Sequence, residues 1–102
     1  MVLRTERTKN TNTGSTISPG ISVGSSTSVT LAAANPDRMT LTINVQDRDI
    51  WVKEQEASVD NDKKGILVHR NGTYEMQNDN VYTGEVSGIA ESGTAEVFVT
   101  EK

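Results

Sequence analysis

Few residues in this chain could do chemistry, and their spacing limits each of them. Asp60, Asp62 and Gly65 stand at the first, third and sixth positions of a calcium loop, but the fifth position is Lys64 and the twelfth is Asn71. A calcium loop needs a bidentate glutamate at the twelfth position to close its shell of oxygens, so the segment reads as a solvated loop. His69 is the single histidine and there is no cysteine. A thiolate or histidine-rich metal site, an iron–sulfur cluster, a disulfide and a cysteine nucleophile are therefore excluded, and any serine triad would have to take His69 as its base. His69 follows the apolar run Ile66, Leu67, Val68 and precedes Arg70, the place of a partly exposed strand end. Gly84, Ser87 and Gly88 miss the spacing of a nucleophile elbow, which needs glycine two residues either side of the serine. The 14 carboxylates are scattered over polar stretches, so no pair is singled out for glycoside hydrolysis. Asn71-Gly72-Thr73 fits a glycosylation sequon and is better explained as turn chemistry. The expectation is a protein that is not an enzyme, with no catalytic residues, no cofactor and no metal.

Trp51, Tyr74 and Tyr82 are the remaining candidates for ligand binding. Aromatic faces stack on sugar rings, so together they could form a carbohydrate platform. Only 4% of the chain is aromatic, however, and a small core needs their area.

These residues sit on short strands. Met39, Leu41, Ile43 and Val45 alternate with Thr40, Thr42 and Asn44, the period of a half-buried strand. Shorter runs are Val29 to Leu31, Ile50 to Val52, Ile66 to Val68, Thr73 to Met76, Val81 to Thr83 and Val86 to Ala90. In a last strand Ala95, Val97 and Val99 point one way while Glu96, Phe98 and Thr100 point the other. Asn35-Pro36-Asp37 predicts a hairpin or a corner between sheets, Asn71-Gly72 predicts a two-residue hairpin, and Gly84 predicts a bulge or bend. No window keeps helical spacing without interruption. The predicted fold is all-β, a small antiparallel β-sandwich or jelly-roll-like barrel over residues 28–102, preceded by an extended N-terminal arm over residues 1–27.

The arm is distinct in composition. Residues 5–30 hold 13 Ser or Thr, too little apolar surface to offset the entropy of ordering them alone. Arg4, Arg7 and Lys9 against Glu6 give its tip a charge of +2, which leaves −6 on the rest of a chain whose net charge is −4. A basic tip on an acidic body suits docking on an acidic neighbour. It suits nucleic acid poorly, because the basic footprint is small and the body would be repelled. Val2 and Leu3 would anchor the tip, and Ile17, Ile21 and Val23 are the apolar pegs along the arm. No apolar run on the order of 18 residues and no signal-like opening occurs, so neither a membrane span nor secretion is expected, and synthesis in a cytoplasm is. A body of about 75 residues has a thin core, so association into oligomers would help it.

The order of segments SVTLAAANPDRMTLTINVQDRDIWVK (28–53), GILVHRNGTYEM (65–76) and VYTGEVSGIAESGTAEVFVTEK (81–102) resembles small structural proteins of tailed double-stranded-DNA bacteriophages. The shared features are a Leu-Ala-Ala-Asn-x-x-Arg turn, a Tyr-x-Gly strand and a closing Gly-Thr-Ala strand, all turn and strand patterns without a catalytic signature. The long basic arm departs from that group, many of whose members have only a short lead. The resemblance implies a virion protein with a β-sandwich or jelly-roll-like body, made in the host bacterium. Within that group the arm favours a capsid decoration (cement) protein, present as a homo-oligomer or in multiple copies, that bridges major capsid protein subunits. The alternative is a fibre, neck or tail module recognising host-surface glycan through Trp51, Tyr74 or Tyr82.

Overall fold

The computed structural model describes residues 16–17, 20–77 and 81–102. The chain folds as an all-β sandwich without helix among the described residues, as its period-two patterning requires. Its strands are β1 (Thr16–Ile17), β2 (Ile21–Gly24), β3 (Val29–Ala32), β4 (Thr40–Gln46), β5 (Ile50–Lys53), β6 (Ile66–Val68), β7 (Thr73–Gln77), β8 (Val86–Ala90) and β9 (Thr94–Glu101).

One sheet has the order β1-β9-β4-β7, with β2 also on β9; the other has the order β3-β8-β5-β6. All pairings are antiparallel. β1 pairs with the end of β9 (Thr16 opposite Glu101) and β2 with its start (Val23 opposite Ala95), so the two lie in succession along one edge. The sheet orders mean that every connection from β2 to β9 crosses between sheets except that from β5 to β6. The Asn35-Pro36-Asp37 turn is accordingly a corner, carrying the chain from one sheet to the other.

The core lies between the sheets. β4 alternates buried Leu41, Ile43 and Val45 with half-buried Thr42 and Asn44, and β9 buries Ala95, Val97 and Val99 against them. From the other sheet come Leu31, Ile50, Val52, Val68, Val86 and Ala90. Each fully buried aliphatic side chain of this kind contributes about 1.5–3 kcal/mol before ordering entropy is subtracted.

Three expectations are corrected. Residues 21–24, assigned to an arm shaped by another molecule, form β2 on this chain's own β9, and Val23 is buried at 0% exposure. The alternation Ile21-Ser22-Val23 gives one apolar edge to the core, and that outweighs the Ser/Thr-rich composition around it. Asn71-Gly72 does not close a two-stranded hairpin, since β6 pairs with β5 and β7 with β4. The turn instead switches sheets: Asn71 takes φ 63°, and Gly72 N–H donates to the His69 carbonyl at 2.8 Å. Residues 81–83 join no ladder; the carbonyls of Tyr82 and Thr83 accept from Arg38 and Asn35 instead.

Candidate functional site

Arg38 ends the corner between β3 and β4, and its side chain is wholly buried. Its guanidinium Nε donates to Glu101 Oε2 at 2.7 Å, Nη1 to the carbonyls of Tyr82 (2.5 Å) and Gly84 (3.0 Å), and Nη2 to the Ala33 carbonyl (2.7 Å). Asn35 completes the cluster: its Nδ2 donates to Glu101 Oε2 at 3.2 Å, and its N–H to the Thr83 carbonyl at 2.8 Å. The planar fork of arginine suits this divergent set of acceptors as a point charge could not. The Asn-x-x-Arg turn, the Tyr-x-Gly segment and the closing strand thus meet in one clamp. It holds the end of β9, beside which β1 lies.

A second buried cation lies on the opposite sheet. Lys53, 4% exposed, donates through Nζ to Asp60 Oδ1 (2.8 Å), Ser28 Oγ (3.0 Å) and the carbonyls of Asp60 (3.2 Å) and Asp62 (3.1 Å). The segment that imitates a calcium loop therefore wraps its oxygens around an ammonium of the same chain. Lys53, with hydrogen bonds from Asp62 N–H and Gln55, holds the Asp60 carboxyl well below the usual carboxylate range. The Ala57 N–H, followed by Thr30 Oγ1, lowers Glu85 in the same way. These contacts fasten residues 54–64 to the sheet. Gly65, at φ 109°, turns the chain back into β6 so close to the Val52 carbonyl that a Cβ would overlap it. Ser87, on β8 opposite Lys53 and Thr30, is buried, and its Oγ has no hydrogen-bond partner among the described residues.

The aromatic candidates are not brought together. Trp51 alternates with core residues Ile50 and Val52, so it faces away from the core, and its Nε1 donates to Glu91 at 2.6 Å. Tyr74 stands opposite Ile43 and packs on the core, its hydroxyl donating to Glu54 at 2.9 Å. Burial, then the Glu54 carboxylate, pushes the Tyr74 hydroxyl up to about 12. Tyr82 packs on the core from the 81–84 segment. A shared platform of these three is therefore ruled out by the fold. His69 is exposed at the end of β6, with Nδ1 3.5 Å from Asp49 Oδ2.

Of the residues expected to reach a partner, Val23 belongs to the core and Ile21 packs against it. Ile17 is placed in β1 opposite Thr100. Val2, Leu3, Arg4, Arg7 and Lys9 lie outside the described residues. What the structure adds is where residues 1–15 join the body: at β1, on the outermost strand of its sheet, beside Glu101 of the clamp. No protein-family model matches the chain, and no match is found among curated proteins or solved structures.

Proposed function

We propose that the chain is a non-enzymatic decoration protein of a tailed-phage head, binding its outer surface in multiple copies and bridging major capsid protein subunits, with residues 1–15 as the attachment segment. The observation that carries this reading is the junction at β1. Residues 1–15 lead directly into an edge strand whose far side has no partner among the described residues. The free edge of this two-residue strand is thereby continuous with the attachment segment, an arrangement that strand addition from a neighbour could extend. Fifteen extended residues span at most about 50 Å, enough to cross from one subunit to the next. Arg4, Arg7 and Lys9 supply charge for an acidic surface, and many identical contacts on one particle raise the effective concentration of each.

The test is co-sedimentation with undecorated heads assembled from the cognate major capsid protein. The full chain is expected to bind, and removal of residues 1–15 to abolish binding while the circular dichroism and melting of the body are retained. Charge reversal at Arg4, Arg7 and Lys9 together is expected to weaken binding and reduce its salt dependence. Undiminished binding of the shortened chain would refute the reading.

A further inference from the structure

The outer face of the five-stranded sheet carries a hollow that the decoration reading does not use. Strand alternation turns Phe98 outward, and the ladder sets Asn44 opposite it, Thr42 opposite Thr100, and Gln46 opposite Glu96. Phe98 is the only aromatic side chain on this face among the described residues, and it is half-buried. Beside it lies an open hollow of about 330 Å³, lined by Asn44, Val45, Gln46, Asn71, Gly72 and Phe98. That volume is at the lower end of the range for small-molecule sites, roughly 300–1,000 Å³.

The rim is set before any ligand arrives. The Gly72 carbonyl accepts from Val45 N–H at 3.0 Å, which fixes the 69–72 turn against β4. On the other side Gln46 begins a three-residue turn in which Asp47 has φ 74° and Arg48 N–H donates to the Gln46 carbonyl at 2.8 Å. The two non-glycine residues at positive φ among those described, Asp47 and Asn71, thus flank the hollow, each in one of the turns that set its rim. Asn44 Oδ1 accepts from Thr73 Oγ1 at 2.9 Å, which leaves its amide nitrogen as a donor.

The chemistry selects the ligand. No charged side chain is among the lining residues, and the acidic Asp47 and Glu96 stand beside Gln46, so the hollow offers no ion pair to a phosphate or a carboxylate. Its amides each donate and accept, and its ring offers an apolar face. A pyranose has the matching surface, hydroxyls around its edge and a C–H face that stacks on an aromatic ring. We propose that this hollow binds a neutral saccharide, one ring on Phe98 with its hydroxyls paired to the side-chain amides of Asn44, Gln46 and Asn71. The site is distinct from Trp51, Tyr74 and Tyr82, and it stands or falls independently of head attachment.

The test is an NMR titration of the full chain with maltopentaose, cellopentaose, mannopentaose and chitopentaose, each raised to roughly tenfold above a millimolar dissociation constant. At least one is expected to saturate, with dissociation constants on the order of 1 mM per ring and shifts centred on Asn44, Gln46, Asn71 and Phe98. Phe98→Ala is expected to weaken binding about tenfold or more. Asn71→Gly, which keeps the turn's left-handed geometry and removes only the amide, and Gln46→Ala, at an exposed position, are expected to weaken it several-fold, so the result does not hang on the folding of one variant. Trp51→Ala is expected to bind as the unaltered chain does. Silence across the whole panel, binding that survives Phe98→Ala and Asn71→Gly alike, or shifts centred on Trp51 would overturn the proposal.

Discussion

Replacing Arg38 by Met tests the clamp, because it keeps much of the side-chain volume and removes every hydrogen bond the guanidinium makes. Those bonds go to Glu101, Tyr82, Gly84 and Ala33. Hydrogen bonds from a charged donor contribute about 1.5–3 kcal/mol each, but they are not additive and the desolvation of the cation is recovered on its removal. Breaking a buried ion pair from one side costs about 3–5 kcal/mol, and the stranded carbonyls put Arg38→Met in that range. A domain this small has a total stability near the lower end of about 5–15 kcal/mol, so the variant should be close to unfolding. At a urea slope of about 1–2 kcal/mol per molar, the midpoint should fall by roughly 1.5–5 M. Arg38→Lys should recover only part of this, since an ammonium cannot reach four divergent acceptors in one plane. Glu101→Gln should cost less, about 1 kcal/mol, because that side chain is 27% exposed and the amide keeps an acceptor for Nε. A loss below about 1 kcal/mol in Arg38→Met, or full rescue by lysine, would refute the argument that this cluster holds the corner, the 81–84 segment and the end of β9 together.

The remaining expectations concern the other sheet and the edge of the sandwich. The Asp60 carboxyl is held below its ordinary range, so its contribution to stability is present above an unfolded pKa of about 3.9 and is lost as pH falls through the lower folded value. In acid titrations followed by circular dichroism, the stability gap between the unaltered chain and Asp60→Asn should therefore narrow below about pH 4; a gap that stays constant would show that the Lys53 contact does not set it. Ser87→Ala removes a buried hydroxyl with no partner among the described residues and should raise stability by about 1 kcal/mol, read from urea midpoints, whereas a loss would mean the hydroxyl is satisfied. Tyr74, raised to about 12, favours the folded state while protonated, so this contribution is complete below an unfolded pKa near 10 and fades as pH climbs towards 12. The difference in ultraviolet absorbance between the unaltered chain and Tyr74→Phe should titrate near 12; a midpoint near 10 would contradict the packing and Glu54 contact described for its ring.

Period-two alternation made most strands legible: β4 and β9 show inward and outward residues in the sequence as they stand in the sandwich. What the sequence hid was pairing, because the same turn chemistry serves a hairpin and a crossing between sheets. Asn71-Gly72 supplies the positive φ that either connection uses, and only the partners of β6 and β7 distinguish them. β2 was masked by its Ser and Gly neighbours, although Ile21-Ser22-Val23 carried the strand period. Residues 81–83 looked like a strand for their β-branched and aromatic content, yet the carbonyls of Tyr82 and Thr83 are taken by Arg38 and Asn35. The buried roles of Arg38 and Lys53 could not be read from composition, since charged residues are rarely buried unless paired and the pairing is long-range. The hollow at Phe98 was half visible: the outward face of β9 was legible, whereas the approach of the 69–72 turn to β4 was not.

The division between a self-folded β1–β2 edge and an attachment segment of residues 1–15 is tested most directly by hydrogen exchange on the full chain, free and bound to heads. The amides of Ile21–Gly24 that pair with β9 are expected to be protected equally in both states, and residues 1–15 to gain protection only in the bound state. Unprotected exchange at Ile21–Gly24 in the free chain, or no change across residues 1–15 on binding, would contradict it.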